Sequence, residues 1–309
     1  MPTSRFDIIG LGFCSWDYVC AVPRVPLDGK VEIQRRLNQG GGPAATATFA
    51  AQRLGGRTAF IGVVGDDDCG RGILQELRGG GVDVCGVAIR PGAESAVTFC
   101  WAEQETGGRS IAWGRGSAAP LQPAEVDLAM VRASRALHLD GLQTAAALHA
   151  AAAARAAGVT VCLDAGTLVP RIEELIAQCD IVIAAEIFAR RFCGTKEPEE
   201  AVLDLHRRGP RLTAVTQGAK GSVGFDGKEL VRVPAFPVEV VDTTGAGDVY
   251  HGAFLLRQLE GASLGEAMRF AAGAAALKCE ALGGRTGIPT RDRLDEFLRR
   301  REAGQPAPL

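Results

Sequence analysis

Pro43-Ala44-Ala45-Thr46-Ala47-Thr48-Phe49-Ala50-Ala51-Gln52-Arg53-Leu54, then Gly55-Gly56-Arg57, then Thr58-Ala59-Phe60-Ile61-Gly62-Val63-Val64: this stretch decides the fold. Its first part is alanine-rich without internal glycine, which predicts a helix over 43–54 that Gly55-Gly56 stops with a glycine cap. Its last part is short and apolar, with β-branched residues, and predicts a buried strand over 58–64. Upstream, Phe6-Asp7-Ile8-Ile9-Gly10 reads as another strand, closed by glycine. Strand, helix and strand at this spacing form a βαβ unit, and a right-handed crossover makes the two strands parallel.

The rhythm continues down the chain. Helices are predicted over 71–78, 145–157, 172–179 and 199–208, and strands over 82–89, 136–139, 159–163, 181–184 and 212–216. The last third reads as mainly helical, over 247–260, 264–280 and 292–301. Alternation of this kind implies an α/β protein with a doubly wound, mainly parallel sheet flanked by helices. Two stretches break it. Residues 14–38 hold Pro23, Pro26 and the alternating Val31-Glu32-Ile33-Gln34, and residues 95–115 read as a hairpin around Gly107-Gly108. Both are expected to be antiparallel strands beside the main sheet, together forming a small β lid.

Composition bounds the function. A chain of 309 residues fits one large domain with an inserted lid better than two equal domains. Hydrophobic residues at 47% and charged residues at 23% describe a folded protein rather than a disordered tail. Thirty-four basic residues against 36 acidic ones leave a net charge of -2, which argues against a general nucleic-acid or anionic-membrane binder. No apolar run approaches the roughly 18 residues that span a bilayer, and the start of the chain shows no secretory leader. The nine cysteines are scattered without a CxxC pair, so reduced thiols in a cytoplasmic protein are expected.

The sharpest chemical signal is Val241-Asp242-Thr243-Thr244-Gly245-Ala246-Gly247-Asp248 followed by Val249-Tyr250-His251-Gly252. A strand-like approach enters a glycine-rich turn that opens a helix, where backbone amides and the positive end of the helix dipole make a site for an anion. Asp248 in the first turn has two readings: a helix-capping acid, or a general base beside a phosphate hole. The spacing leaves both open. Other signals are weaker. Gly10-Leu11-Gly12 after a strand imitates a dinucleotide fingerprint, but the segment from Trp16 to Pro26 is strand-like and prolyl rather than helical. The four histidines show no ligand spacing and read as structural, with His251 one turn from Asp248. The arginines at 291, 293, 299, 300 and 301 read as the solvated face of a last helix.

The segment Asp242-Thr243-Thr244-Gly245-Ala246-Gly247-Asp248 is similar to the second signature of the ribokinase-like (PfkB) carbohydrate kinases. Gly41-Gly42-Pro43-Ala44-Ala45-Thr46, with Gly62-Val63-Val64-Gly65-Asp66-Asp67, resembles the family's first signature. Gly12 to Asp17 resembles its N-terminal motif, Thr216-Gln217-Gly218-Ala219-Lys220-Gly221 its nucleotide loop, and Gly283-Gly284 to Pro289 its closing loop. The matches run in the family's order from about residue 7 to residue 289. Residues 40–48 and 269–289 look most like the sulfofructose kinase branch, with fructokinases and ketohexokinases more distant.

The resemblance implies roles. Asp248 would be the catalytic base, and the amides of Gly245, Ala246 and Gly247 the anion hole for the transferring phosphate. Asp17, Gly41, Gly42 and Thr46 would hold the sugar. Apart from the resemblance, Lys30, Arg109 and Arg115 read either as lid cations that meet an anionic substrate or as solvated surface charges. Thr216, Gly218, Gly221 and Thr243 would face ATP, with 271–276, including Ala272 and Ala275, on the adenine side. Magnesium is expected with ATP, and a potassium ion near the carbonyls of Asp242 and Thr244, opposite the loop 279–287. A homodimer through the lid is expected too. The implied activity is phosphorylation of a ketohexose or a derivative of one, possibly anionic. Its rivals are a nucleoside or hydroxymethylpyrimidine kinase of the same fold, which needs an aromatic platform such as Trp16, Trp101 or Trp113, and a non-catalytic sugar sensor.

The sequence departs from the family pattern at three places. The asparagine usual at the end of the first signature is Thr46. The Asn-x-x-Glu that stands near magnesium waters aligns with Ala185-Glu186-Ile187-Phe188, which leaves Glu186 as a substitute ligand or an ordinary exposed acid. Trp113 and Gly141 stand where a sulfonate-binding polar and basic pair would be expected.

Overall fold

The computed structural model describes residues 4–105 and 107–303. Its main sheet has nine strands: β1 (Phe6–Leu11), β4 (Thr58–Gly65), β5 (Asp83–Arg90), β8 (Ser134–Leu139), β9 (Thr160–Ala165), β10 (Ile181–Ala185), β11 (Leu212–Thr216), β12 (Ser222–Phe225) and β13 (Leu230–Val233). The spatial order is β13-β12-β11-β10-β9-β8-β1-β4-β5. From β11 to β5 every neighbouring pair is parallel, and β12 and β13 are added antiparallel.

A second sheet of four strands joins β2 (Ser15–Val22), β3 (Arg35–Gly41), β6 (Val97–Glu103) and β7 (Arg109–Gly114) in the order β3-β2-β6-β7. The helices are α1 (Pro43–Arg53), α2 (Asp68–Gly79), α3 (Leu128–Arg132), α4 (Thr144–Ala156), α5 (Ile172–Ala177), α6 (Glu186–Cys193), α7 (Pro198–Arg207), α8 (Ala246–Leu259), α9 (Leu264–Cys279) and α10 (Arg291–Glu302).

Alternation along the strands distributes the core to both faces of the sheet. Ile9, Leu137, Val161 and Val182 bury against α3 to α7, while Ile8, Ala136, Cys162 and Ile183 bury against α1, α8, α9 and α10. Helices α1 and α8 approach closely: a Cβ on Gly252 would lie 2.1 Å from the Ala47 carbonyl oxygen, so only glycine permits this packing. No helix among the described residues is long and apolar enough to cross a membrane. All nine cysteines are free thiols.

The winding sets the position of the site. From β1 the chain moves outward to β4 and β5, then returns to β8 on the other side of β1 and proceeds to β11. The direction reverses between β1 and β8, and a crevice opens at the carboxyl ends of strands at such a reversal.

The structure corrects the sequence reading in several details. Val31 to Gln34 form no strand. After Pro23 and Pro26 the chain leaves the sheet, and β3 begins at Arg35, opposite Ala21. The lid is not wholly antiparallel: β2 and β6, which carry its two halves, pair parallel over Trp16↔Val97 to Val22↔Glu103. Helix α2 starts three residues earlier than the spacing predicts, because the Asp67 carboxylate caps it by accepting from the Gly70 amide at 2.8 Å. Helix α6 follows β10 with no loop between them, which hides the change of period. The short β12 and β13 are separated by the four residues Asp226 to Glu229 and carry too few residues each to show alternation.

Candidate active site

Asp140 lies just beyond the carboxyl end of β8, at the reversal. One of its oxygens accepts from the Phe13 amide at 2.7 Å and from the Ala44 amide at 3.2 Å, and the other accepts from the Leu142 amide at 2.9 Å. Burial pushes its pKa up while these amides pull it back. The carboxylate thus ties the exit of β1 at Phe13 to the start of α1 at Ala44, the two points where the chain enters and leaves the lid strands β2 and β3. A Cβ on Gly12 would sit 2.4 Å from it, and one on Gly42, where φ is +90°, would sit 2.5 Å from the Phe13 carbonyl oxygen. These contacts explain both glycines.

The lid covers this floor. Register places Gln39, Asp17, Thr98 and Trp113 in one row across its four strands, on the face turned to the crevice. Asp17 is buried, accepts from the Ser15 hydroxyl at 2.6 Å, and has its pKa raised by burial. Gly41 lies against it so closely that a Cβ would fall 1.9 Å from Asp17 Oδ2. Trp113 is 49% exposed and packs edge-on against Phe13 with 5.5 Å between ring centres, so this aromatic pair borders open space. Trp16, by contrast, packs against α2 at Gly72. Further along the lid, the Cys100 thiol lies 3.0 Å from the Thr244 hydroxyl, and Arg109 donates to the Thr243 hydroxyl at 3.1 Å. Lys30 lies exposed in the loop between β2 and β3, and Arg115 stacks over Trp113.

The glycine-rich turn lies opposite. Gly245 has φ +74° and precedes α8, and a Cβ there would meet Gly284 of the closing loop at 2.8 Å. Amides in the first turn of a helix have no intrahelical acceptor. The Ala246 amide bonds back to the Thr243 carbonyl at 3.2 Å, and Gly247 faces open space. Asp248 is half-buried in the same turn. Desolvation pushes its pKa up to about 6; Asp17 and Asp140 add to the rise, and Arg109 and Arg285 oppose it. A carboxyl group so tuned accepts a proton near neutral pH.

Behind Asp248, residues that spacing does not single out form a buried layer. Asp164, at the end of β9, lies 3.3 Å from His251 Nε2. Burial and the charges of Asp248 and Asp140 raise the Asp164 pKa, while burial and the neighbouring His138 drive the His251 pKa down, so the surroundings disfavour the charged form of each.

Two cations were missed as well. Arg285, in the closing loop, is buried; it donates to the Thr46 hydroxyl at 3.3 Å and to the Gly41 carbonyl at 3.2 Å, and pairs with Glu76 at 3.4 Å. Its guanidinium therefore fills the space left by the shorter Thr46. Lys278 is fully buried at the end of α9 and donates to the Asp242 carbonyl at 2.7 Å. Asp242 itself accepts from the Thr244 amide and hydroxyl and from the Gly283 amide, at 2.7–2.8 Å.

The remaining expected residues lie on the side of β11. Thr216 ends that strand, Gly218 (φ +58°) opens a short 3-10 turn, and Gly221 (φ +92°) approaches the Val233 carbonyl too closely for a side chain. Ala272 and Ala275 stand on α9, which packs over β12 and β13. Phe188 is buried in the core, and Glu186 pairs with Arg190 at 2.8 Å and Lys220 at 3.8 Å. Among the described residues no three His, Cys, Asp or Glu side chains come together as a metal-ligand set. The last helix turns its arginines to partners such as Glu260 and Glu280, as a solvated face does.

Comparison with known proteins identifies relatives. The model of the pfkB family carbohydrate kinases matches residues 7–291. The chain is 27% identical to a nucleoside kinase of Methanothermobacter thermautotrophicus, covering 92% of each. It is 30% identical to fructokinase-1 of Oryza sativa subsp. japonica, covering 92% of this chain and 94% of that one. Among solved structures, Arabidopsis thaliana ribokinase complexed with ribose and ATP superposes with a TM-score of 0.82 at 28% identity, covering 95% of this chain and 99% of the other.

Proposed function

The chain belongs to the pfkB family of carbohydrate kinases, a sugar or nucleoside kinase with the ribokinase-like fold, and from that premise we propose that it transfers the γ-phosphoryl group of ATP to a hydroxyl of a ketohexose or ketohexose derivative. The observation that carries the reading is Asp248 in the first turn of α8, its pKa near 6, with Asp17 close enough across the crevice to raise it.

In this reading Asp17, with the Gly41-Gly42 turn, orients the acceptor's hydroxyls. Asp248 removes the proton from the attacking hydroxyl as its oxygen bonds to phosphorus and the bond to ADP breaks. The proton stays on Asp248 until product leaves. The amides of the turn Gly245-Ala246-Gly247 and the positive end of α8 take the charge on the transferring oxygens, the Ala246 amide turning from the Thr243 carbonyl to the phosphate. Arg109 stands at the same end and meets negative charge on phosphate or acceptor. The loop 216–221 and the α9 face with Ala272 and Ala275 are the proposed nucleotide side. Magnesium arrives with ATP, whose phosphates supply its ligands and whose charge it neutralises.

Gly41→Ala tests the acceptor side. The added Cβ displaces the Asp17 carboxylate, so the acceptor KM should rise about tenfold or more, as expected when a positioning contact is lost, with ATP affinity by calorimetry unchanged. An unchanged KM removes Asp17 and Gly41 from the acceptor site.

A second reading, nucleoside phosphorylation, is favoured by the Phe13–Trp113 pair at the crevice, a surface on which a base can stack. Coupled ADP release over fructose, tagatose, ribose, sulfofructose, fructose phosphates and adenosine separates the two. Fastest turnover of a ketohexose or its derivative supports the proposal, and fastest turnover of adenosine replaces it. ATP binding without turnover points to a sensor, and absence of ATP binding refutes the kinase reading.

The outer lid face carries Tyr18 stacked on the half-exposed Phe99, beside the open edge of β7. This supports a homodimer formed through the lid; a monomeric mass by light scattering would refute it.

A further inference from the structure

Lysine is rarely buried completely, because removing an ammonium from water is costly unless it is paired. Lys278 has no exposed surface, yet among the described residues the one hydrogen bond its ammonium makes is to a main-chain oxygen, the Asp242 carbonyl, at 2.7 Å. That oxygen is one of the two carbonyls near which the family resemblance implies a potassium ion. The residues present do not fit such an ion. The Asp242 carbonyl is already directed at a positive charge. Opposite it, the Cys279 carbonyl accepts from the Val241 and Asp242 amides at 2.8 and 3.2 Å, and the Lys278 carbonyl accepts from the Ala281 amide at 3.3 Å.

We propose that the Lys278 ammonium is a built-in replacement for the monovalent cation under the glycine-rich turn, so that this kinase binds ATP and turns over without potassium. The inference rests on the kinase reading. An ammonium and an alkali ion ask the same of a carbonyl: each sets one positive charge against its lone pair. The lysine does so from a covalent tether. It needs no ion from solution and keeps the site charged at any salt composition. The charge sits where it is useful, because Asp242 and Thr244 lead directly into Gly245 and the first turn of α8. It holds the approach segment in place and adds to the positive potential of that turn.

The test compares wild type and Lys278→Met in potassium chloride and in choline chloride at equal ionic strength. Thermal unfolding and calorimetric ATP binding are read beside ADP release. Wild-type Tm should agree between the two salts within ~1 °C, and ATP affinity within about twofold, since no ion binds only the folded state. In choline chloride Lys278→Met should melt ~4–8 °C lower, having left a carbonyl unpaired in a new cavity. It should bind ATP about tenfold more weakly, and potassium should recover a large part of both losses in the variant alone.

Potassium-specific stabilisation of wild type, by more than ~2 °C, overturns the proposal. So does a loss in Lys278→Met that no alkali ion relieves, which would make Lys278 a packing residue. If Lys278→Met does not fold, the wild-type comparison decides alone, with Lys278→Arg expected to remain indifferent to potassium. Silence of every acceptor would sink the kinase reading, while the unfolding and ATP-binding results would still judge Lys278.

Discussion

Asp248→Asn lowers kcat for phosphoryl transfer about a thousandfold, within the range that general-base catalysis contributes, and leaves ATP binding intact. The asparagine keeps the shape of the side chain but cannot take up the hydroxyl proton. Because the substitution removes a desolvated carboxyl group, the variant should be at least as stable as wild type. The pH profile is the more diagnostic readout. In wild type the base must be ionised, so kcat/KM should rise tenfold per pH unit up to about 6 and level off above it. The acid limb should vanish in the residual activity of Asp248→Asn. A variant keeping more than about a tenth of wild-type activity, too much for the loss of a general base, refutes the assignment, as does a wild-type profile flat through pH 6.

Arg285→Met is the second large effect, and it acts on stability and chemistry together. One guanidinium serves Thr46 on α1, Gly41 at the end of β3 and Glu76 on α2, and lies over the Phe49 ring at 5.2 Å. Glu76 also accepts from the Gly40 amide, so the acid and the arginine together brace the turn that carries the proposed acceptor contacts. Methionine fills much of the volume but leaves the Gly41 carbonyl and the Thr46 hydroxyl without their donor. Glu76 is partly exposed and can turn to water, which places the cost at the lower end for a broken buried pair, about 3 kcal/mol. In a chain of this size that corresponds to a Tm lower by ~5 °C.

Loss of the arginine also removes a charge that holds the Asp248 pKa down. The acid limb of kcat/KM should therefore move to higher pH, the opposite of what loss of Asp17 or Asp140 would do. A Tm within ~1 °C of wild type, against the shift expected for a buried pair, together with an unmoved acid limb, would show that Arg285 braces nothing.

Much of this protein is written locally. The helix over 43–54 and its flanking strands follow from alanine content, a glycine stop and short β-branched runs, all within one stretch of chain. The turn from Asp242 to Asp248 announces itself because its requirements are local: glycines where φ is positive or the backbone is approached closely, and an acid on the first helical turn. Alternation could not place β3, because Val31 to Gln34 alternate in sequence without a neighbouring strand to pair with. The parallel pairing of β2 with β6 depends on how the two halves of the lid meet, and nothing in either half records it.

The cations beneath the site mark the limit. Arg285 reads as one more charge in a loop and Lys278 as the end of a helix, until the fold brings Gly41 and Asp242 to them across 244 and 36 positions of sequence. Glycine placement and hydrophobic period are properties of a few consecutive residues, so the sequence alone determined the α/β sheet, the anion-binding turn and the candidate base. Which charges are buried, and against which carbonyls and carboxylates, depends on distances and desolvation that exist only after the sheet, lid and closing loop have packed. Those only the tertiary structure decided.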